Sequence, residues 1–378
     1  MIDPRTASAE VDLDALMLNV AALAEHVRPA ETMVVVKADG YGHGMVPCAR
    51  AARAAGASWL GVATPAEALT LRASGDRGRL LAWLYGPDED LSALVADDVD
   101  VSAHSAAQVS ALVAAAGVAE TRARVHLKVD TGLSRNGATP ADWPEVCAAA
   151  AEAVAAGAVE VVAVWSHFAS ADEPGAESVP VQLEAFREAE AVARAAGLEH
   201  RIRHLCNSAG ALIVPQAHFE LVRVGIAAYG IDPAPGIAAR AGVELRPVMR
   251  LRAQLVNVKT IAAGTGVSYG STWTAPADTR VALVPLGYAD GIPRHAGNRG
   301  EVQLGGGRAP VRGRICMDQF VVELDDDAEM GDEVVLFGGG GSGEPTAADW
   351  AAWCDTIGYE IVTRIGSRVP RVHLGGAS

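Results

Sequence analysis

The sequence is short of lysine. Of its 31 basic residues only Lys37, Lys128 and Lys259 are lysines, and the rest are arginine. Arginine replaces lysine as a surface charge, but it forms no imine with an aldehyde. Each remaining lysine therefore raises a chemical question. Cysteine is sparse as well. Cys48, Cys147, Cys206, Cys316 and Cys354 are widely spaced, odd in number and without a CxxC pair. That pattern argues against a disulfide framework or a structural zinc site and for a reducing compartment. No apolar run approaches membrane-spanning length. The N-terminal stretch MIDPRTASAEVDLD is polar and acidic and lacks a signal-peptide core, so a cytoplasmic protein is expected. Positive charge is in deficit: the net charge of −15 repels nucleic acid and anionic membranes. A small anionic substrate would need a local basic site.

What is present is a long, apolar chain. Its 378 residues are half hydrophobic, enough for two or three domains with a large core. DALMLNVAALAEHV (14–27) has helical periodicity, and TPAEAL (64–69) is a helix start in which Thr64 caps, Pro65 suits the first turn and Glu67 completes a capping box. Eight short runs read as strands: 34–37, 59–63, 80–84, 99–103, 124–130, 159–165, 203–207 and 220–225. Ala-rich helical segments separate them. Eight strands at this spacing predict an α/β fold class with an N-terminal (β/α)8 TIM-like barrel. After about residue 245 the texture changes to short alternating runs divided by glycine, which predicts a C-terminal mostly-β domain. The expected division is 1–245 and 246–378, with the alternating segment 8–13 a candidate to pair with the second domain.

In a (β/α)8 barrel the chemistry sits at the C-terminal ends of the strands. Lys37 follows three valines at the end of the first strand. Arg135 lies just after the fifth, His167 after the sixth, Asn207 and Ser208 after the seventh, and Arg223 at the end of the eighth. A lysine in an apolar enclosure loses part of its preference for charge, and its amine becomes a nucleophile toward a carbonyl. The natural partner is pyridoxal phosphate. NSAG (207–210) and VGIAAYG (224–230) offer a hydroxyl and backbone N–H groups for a phosphate, and Arg223 is a candidate for the pyridine nitrogen. Other patterns carry less. HRIRH (200–204) lacks the glutamate of a zinc-protease helix, GGGGSGEP (338–345) reads as a surface loop, and GTGVSYG (264–270) has no following helix to make it a dinucleotide loop.

KADGYGHG, VHLKVDTGLSRNG, CNSAG, VRVGIAAYG, VSYGSTW, GYADGIPR and GRICMDQ together resemble the bacterial alanine racemases, fold-type III pyridoxal-phosphate enzymes. The likeness runs from about Glu10 to Pro370. It implies an isomerase that interconverts L- and D-alanine and supplies D-alanine for peptidoglycan. It implies that Lys37 carries the cofactor and then serves as the base on the D-side of the substrate, with Tyr269 of the partner subunit as the base on the L-side and His167 holding that phenol ready. It further implies phosphate contacts from Tyr41, Ser208, the backbone of Gly225 and Ile226, and Tyr359. Arg135 and the main chain of Met317 would bind the substrate carboxylate, and Tyr288 and Asp318 would line the entrance. Sites shared in this way make an obligate homodimer.

Arginine at the pyridine nitrogen does not give up its proton, so the ring is a weaker electron sink than one facing a carboxylate. In some relatives the lysine matching Lys128 is carbamylated and braces the substrate-binding arginine. The plainer alternative is a partly buried lysine paired with an acid. Lys259 reads as a solvated charge in a strand. Departures from the family pattern are small: Asp39-Gly40 for a frequent Asn-Ala, Leu133 for methionine, Gly210 for alanine, and Ala228 for a larger aliphatic. They leave substrate preference open, so another amino-acid racemase or a decarboxylase is the alternative enzyme. VSYGSTW argues against the decarboxylase. A non-enzymatic pyridoxal-phosphate carrier would be a lone barrel, and the second domain argues against it.

Overall fold

The computed structural model describes residues 1–325 and 327–376. Asp326, at the end of the expected alternating run VVELDD, and Ala377 and Ser378, at the end of the expected second domain, lie outside the described residues. The first strand, β1 (Ala7–Asp12), precedes eight parallel strands: β2 (Glu31–Val35), β3 (Trp59–Val62), β4 (Arg79–Ala82), β5 (Asp100–Ala103), β6 (Ala123–Lys128), β7 (Val159–Trp165), β8 (Ile202–His204) and β9 (Leu221–Val224). These eight run in the order β8-β7-β6-β5-β4-β3-β2-β9. Between the two end strands the Arg223 N–H donates to the Cys206 carbonyl at 3.2 Å, and Arg203 grips Glu220 across the same seam. The barrel thus closes, with helices alternating around it.

The apolar runs are buried on both faces, as parallel strands covered by helices require. Every residue of β3 is buried, as are the last four of β2. The predicted capping box forms: Thr64 Oγ1 accepts from the Glu67 N–H, and the Glu67 carboxylate accepts from the Thr64 N–H at 3.0 Å. Most of the strands end one to three residues before the expected position, and two of these ends bear on the site. β2 stops at Val35 because Lys37 already begins a turn. β8 stops at His204 because Asn207 caps a short helix, its Oδ1 accepting from the Gly210 N–H at 3.0 Å.

A second, nine-stranded sheet follows. Its strand β10 (Met249–Gln254) alternates buried and half-buried residues, the pattern of a sheet with one covered face. β1 pairs with β10 antiparallel and with Arg371–Leu374 in parallel, so the first strand lies in the second sheet. A short helix from this part of the chain, Gly358–Thr363, packs on the turn that follows β2 and brings Tyr359 to the barrel mouth.

Candidate active site

The barrel mouth opens into a cavity of about 370 Å³. Lys37, Tyr41, Lys128, Arg135, His167, Ser208, Arg223, Gly225, Ile226 and Tyr359 all line it, joined by Trp83, Trp165 and Asn207. In a chain of net charge −15 this is a strongly basic enclosure.

Lys37 enters it from an unusual backbone. After Val36 the chain makes a left-handed turn through Ala38 (φ 53°), Asp39 (φ 53°), Gly40 (φ 61°) and Tyr41 (φ 53°). A left-handed conformation costs an ordinary side chain about 1–2 kcal/mol and Asp less, so Ala38 and Tyr41 together store roughly 2–4 kcal/mol. Hydrogen bonds hold the turn. The Ala38 N–H donates to Glu67 Oε1 at 2.7 Å, Met45 N–H to Asp39 Oδ1 at 2.8 Å, and Gly40 N–H to the Val36 carbonyl at 2.9 Å. The capping glutamate of the next helix therefore serves this turn too. Both ends of the turn, Lys37 and Tyr41, face the cavity. Burial pushes the Lys37 pKa down, the Arg135 charge pushes the same way, and Glu67 opposes them.

Beneath the lysine lies a buried polar chain. Arg223 donates to the carbonyls of Ser166, His204 and Leu205 and to His204 Nδ1 at 2.9 Å and His167 Nδ1 at 3.2 Å. His204 Nε2 meets His126 Nδ1 at 2.9 Å, and His126 Nε2 meets Asp100 Oδ2 at 3.0 Å. Asp100 is held by Arg79 and Arg124. A guanidinium only donates. His204 and His167 therefore accept at Nδ1 and carry their protons on Nε2, and the His126 proton goes to Asp100. Burial first, then Arg223, holds the His167 and His204 pKa values well below the ordinary range. Burial also lowers that of His126, so all three are neutral rings. Lys128 sits 4.1 Å from the Trp165 ring centroid and makes no ion pair with a carboxylate among the described residues. Burial, then Arg223 and Arg135, bring its pKa down to about 7.

The opposite side of the cavity is neutral and donor-rich. Ser208 Oγ accepts from the Gly225 N–H at 2.9 Å and the Ala227 N–H at 3.4 Å, which leaves its proton to donate. A Cβ at Gly225 would lie 2.3 Å from Tyr41 Oη, so any larger residue there would displace the phenol. Burial raises the pKa of both Tyr41 and Tyr359, keeping them protonated donors.

The remaining predicted residues stand apart. Tyr269, Tyr288 and Met317 do not line this cavity; they are 71%, 43% and 52% exposed. Tyr269 stands on a tight turn with Ser268 at φ 60° and Ser271 at φ 42°. Backbone bonds from Tyr288 to Cys316 (3.0 Å) and from Ala289 to Met317 (2.9 Å) join two of these loops. A third comes in through Ser268, which donates to the Arg314 carbonyl at 2.6 Å. Asp318 is bound to Arg368 at 2.7 Å.

Sequence reasoning passed over Asp100, His126, His204, Trp83 and Trp165. The signal was faint but present: Asp100 and His126 interrupt otherwise apolar buried strands, where a polar side chain needs a partner.

Comparison with known proteins decides the lineage. Residues 11–233 match the model of the alanine racemase N-terminal domain, and residues 248–373 that of the C-terminal domain. The chain belongs to the alanine racemase family. Its curated relatives include the alanine racemase of Frankia casuarinae, 53% identical over 96% of this chain and 95% of that one. That of Streptomyces coelicolor is 53% identical over 97% and 96%. Among solved structures, the alanine racemase of Streptomyces lavendulae superposes with a TM-score of 0.97 at 52% identity, covering 100% of this chain and 99% of that one. The Bacillus anthracis enzyme, solved with bound L-Ala-P, reaches 0.92 at 32% identity over 99% and 96%. The cavity residues up to Gly225 and Ile226 fall within the N-terminal match and Tyr359 within the C-terminal match, so both family halves line the cavity; Tyr269, Tyr288 and Met317 also fall within the C-terminal match.

Proposed function

We propose that this chain is an alanine racemase that holds pyridoxal phosphate on Lys37 and interconverts L- and D-alanine by two bases, supplying D-alanine for peptidoglycan. The observation that carries this reading is a primary amine of lowered pKa facing a neutral, donor-rich corner inside one basic cavity. The residues fit the cofactor. The close approach of Gly225 to Tyr41 and the Ser208 hydroxyl, whose proton is left to donate, suit a phosphate, together with Tyr359 and the backbone of Ile226. Arg223, held in place through Nη1 and Nη2 and unable to accept a proton, suits the pyridine nitrogen.

When bound, pyridoxal phosphate supplies a delocalising system for the electron pair left at the substrate Cα as a proton departs. Lys37, its preference for charge weakened by burial, takes or returns that proton on the D-side. Tyr269 of the partner subunit does so on the L-side, and His167, whose Nε2 proton is free to donate, orients its phenol. Two bases are required because one alone returns the proton to the face it left. Arg135 and the Met317 main chain hold the substrate carboxylate, while Tyr288 and Asp318 border the entrance. Each of these second-domain groups comes from the partner, which makes the working enzyme a homodimer with shared sites.

The test is chiral analysis of L-alanine incubated with the purified protein and pyridoxal phosphate. Enantiomers have equal free energy, so a racemase stops at equal amounts of each. L-alanine left unchanged by cofactor-loaded protein would sink the alanine assignment, and serine would be the next substrate to try.

A further inference from the structure

We propose that Arg371 is a positioning residue for the turn that carries Lys37 and Tyr41, fixing it against the segment that carries Tyr359. Its Nε donates to the Gly42 carbonyl at 2.9 Å, its Nη1 to Gly366 and Val369 at 2.6 and 2.8 Å, and its Nη2 to Ile365. All of these acceptors are backbone carbonyls. Among the described residues Arg371 makes no ion pair with a carboxylate, so the planar fork is used here for its geometry. Lysine places three donors on one atom and cannot span the same acceptors.

The joint has no slack on the turn side. A Cβ on Gly42 would lie 2.5 Å from the Val362 carbonyl, and one on Gly44 would lie 2.7 Å from His373 Nε2. His373 also bonds the His43 carbonyl at 2.8 Å. Tyr41 immediately precedes Gly42, and Tyr359 lies on the helix Gly358–Thr363 that leads into Ile365. Their ring centroids are 6.5 Å apart. The guanidinium therefore sets the spacing of two phenols on the proposed phosphate side and restrains the left-handed turn at its exit, as Glu67 does at its entry.

The inference rests on the cofactor reading above for its consequence, but not for its geometry. The experiment compares the full chain with Arg371→Gln and Arg371→Lys. Amide hydrogen exchange is followed across residues 38–44 in cofactor-free protein, and affinity for pyridoxal phosphate is followed by its visible absorbance on titration. Losing the fork should speed exchange in 38–44 and weaken cofactor affinity by about tenfold each, the equivalent of one charged hydrogen bond. Exchange in the remaining barrel strands should not change. Should Arg371→Gln fail to fold, Arg371→Lys gives the same readouts. Unaltered exchange and affinity, or a loosening spread evenly over the barrel, overturns the role of Arg371. If the unaltered chain takes up no pyridoxal phosphate, the functional reading fails instead, and the exchange data still decide whether Arg371 holds the turn.

Discussion

Lys128 brings a positive charge to a place already crowded with them, beside Arg223, Arg135 and Lys37. With its pKa down to about 7, a large share of it is free amine near neutrality, and the free amine is the form that adds carbon dioxide. Carbamylation would exchange a surplus cation for a carboxylate facing arginines, against the weaker opposing pull of Asp130. We expect isotope-labelled bicarbonate to give a carbamate NMR signal in the protein and none in Lys128→Met, with the KM for alanine in that variant raised about tenfold by a poorly braced Arg135. No signal together with an unchanged KM would leave a bare amine resting on Trp165. Lys37 and Lys128 were legible in the sequence because lysine is scarce and both follow apolar runs. Trp83 and Trp165 were not, because an aromatic residue in a strand reads as core until the cavity beside it is seen.

Strands and turns divide by how local their causes are. Most of the barrel strands were legible because they are short, largely apolar runs, and the Thr64 capping box because its residues lie three apart. The left-handed turn after Lys37 was not, since Ala38 and Tyr41 disfavour that conformation and part of its restraint comes from Glu67 and from the second sheet. The polar chain from Arg223 to Asp100 was equally hidden, because it joins β9, β8, β6 and β5 and depends on which inward residues meet across a barrel. Its histidines predict a pH response. His126, His167 and His204 have folded pKa values below the ordinary 6.5. Below about pH 6.5 the unfolded chain therefore binds protons that the folded chain refuses. Their contribution is complete above that pH and is lost below it, at about 1.4 kcal/mol per pH unit for each ring. Thermal unfolding should fall steeply between neutral and mildly acidic buffer, and His204→Asn should show a shallower fall despite a lower midpoint at neutrality. Parallel curves for the two proteins would show that His204 does not titrate on unfolding.

At the scale of the whole molecule, the groups proposed for one reaction fall on two surfaces that do not meet within a chain. Tyr269, Tyr288 and Met317 are large side chains left exposed by the chain's own fold. Mixing inactive Lys37→Ala with inactive Tyr269→Phe should restore activity, since each mixed dimer rebuilds one intact site out of two. No recovery after verified subunit exchange would argue against shared sites. The motif VSYGSTW carried this split in the sequence only through its resemblance to the family; nothing in its composition announces an exposed tyrosine.

The carbonyl of Gly42 and the guanidinium that holds it are 329 residues apart along the chain. During synthesis the barrel can be complete while the exit of the lysine turn has no anchor. Every shorter precursor therefore carries Lys37 on a turn held by Glu67 and by its own local bonds, without the clamp from the second sheet. On the proposed reading, competence to hold an aldehyde in register would be acquired late, after the second sheet has been made, and a half-built protein would have the amine without the full means to aim it.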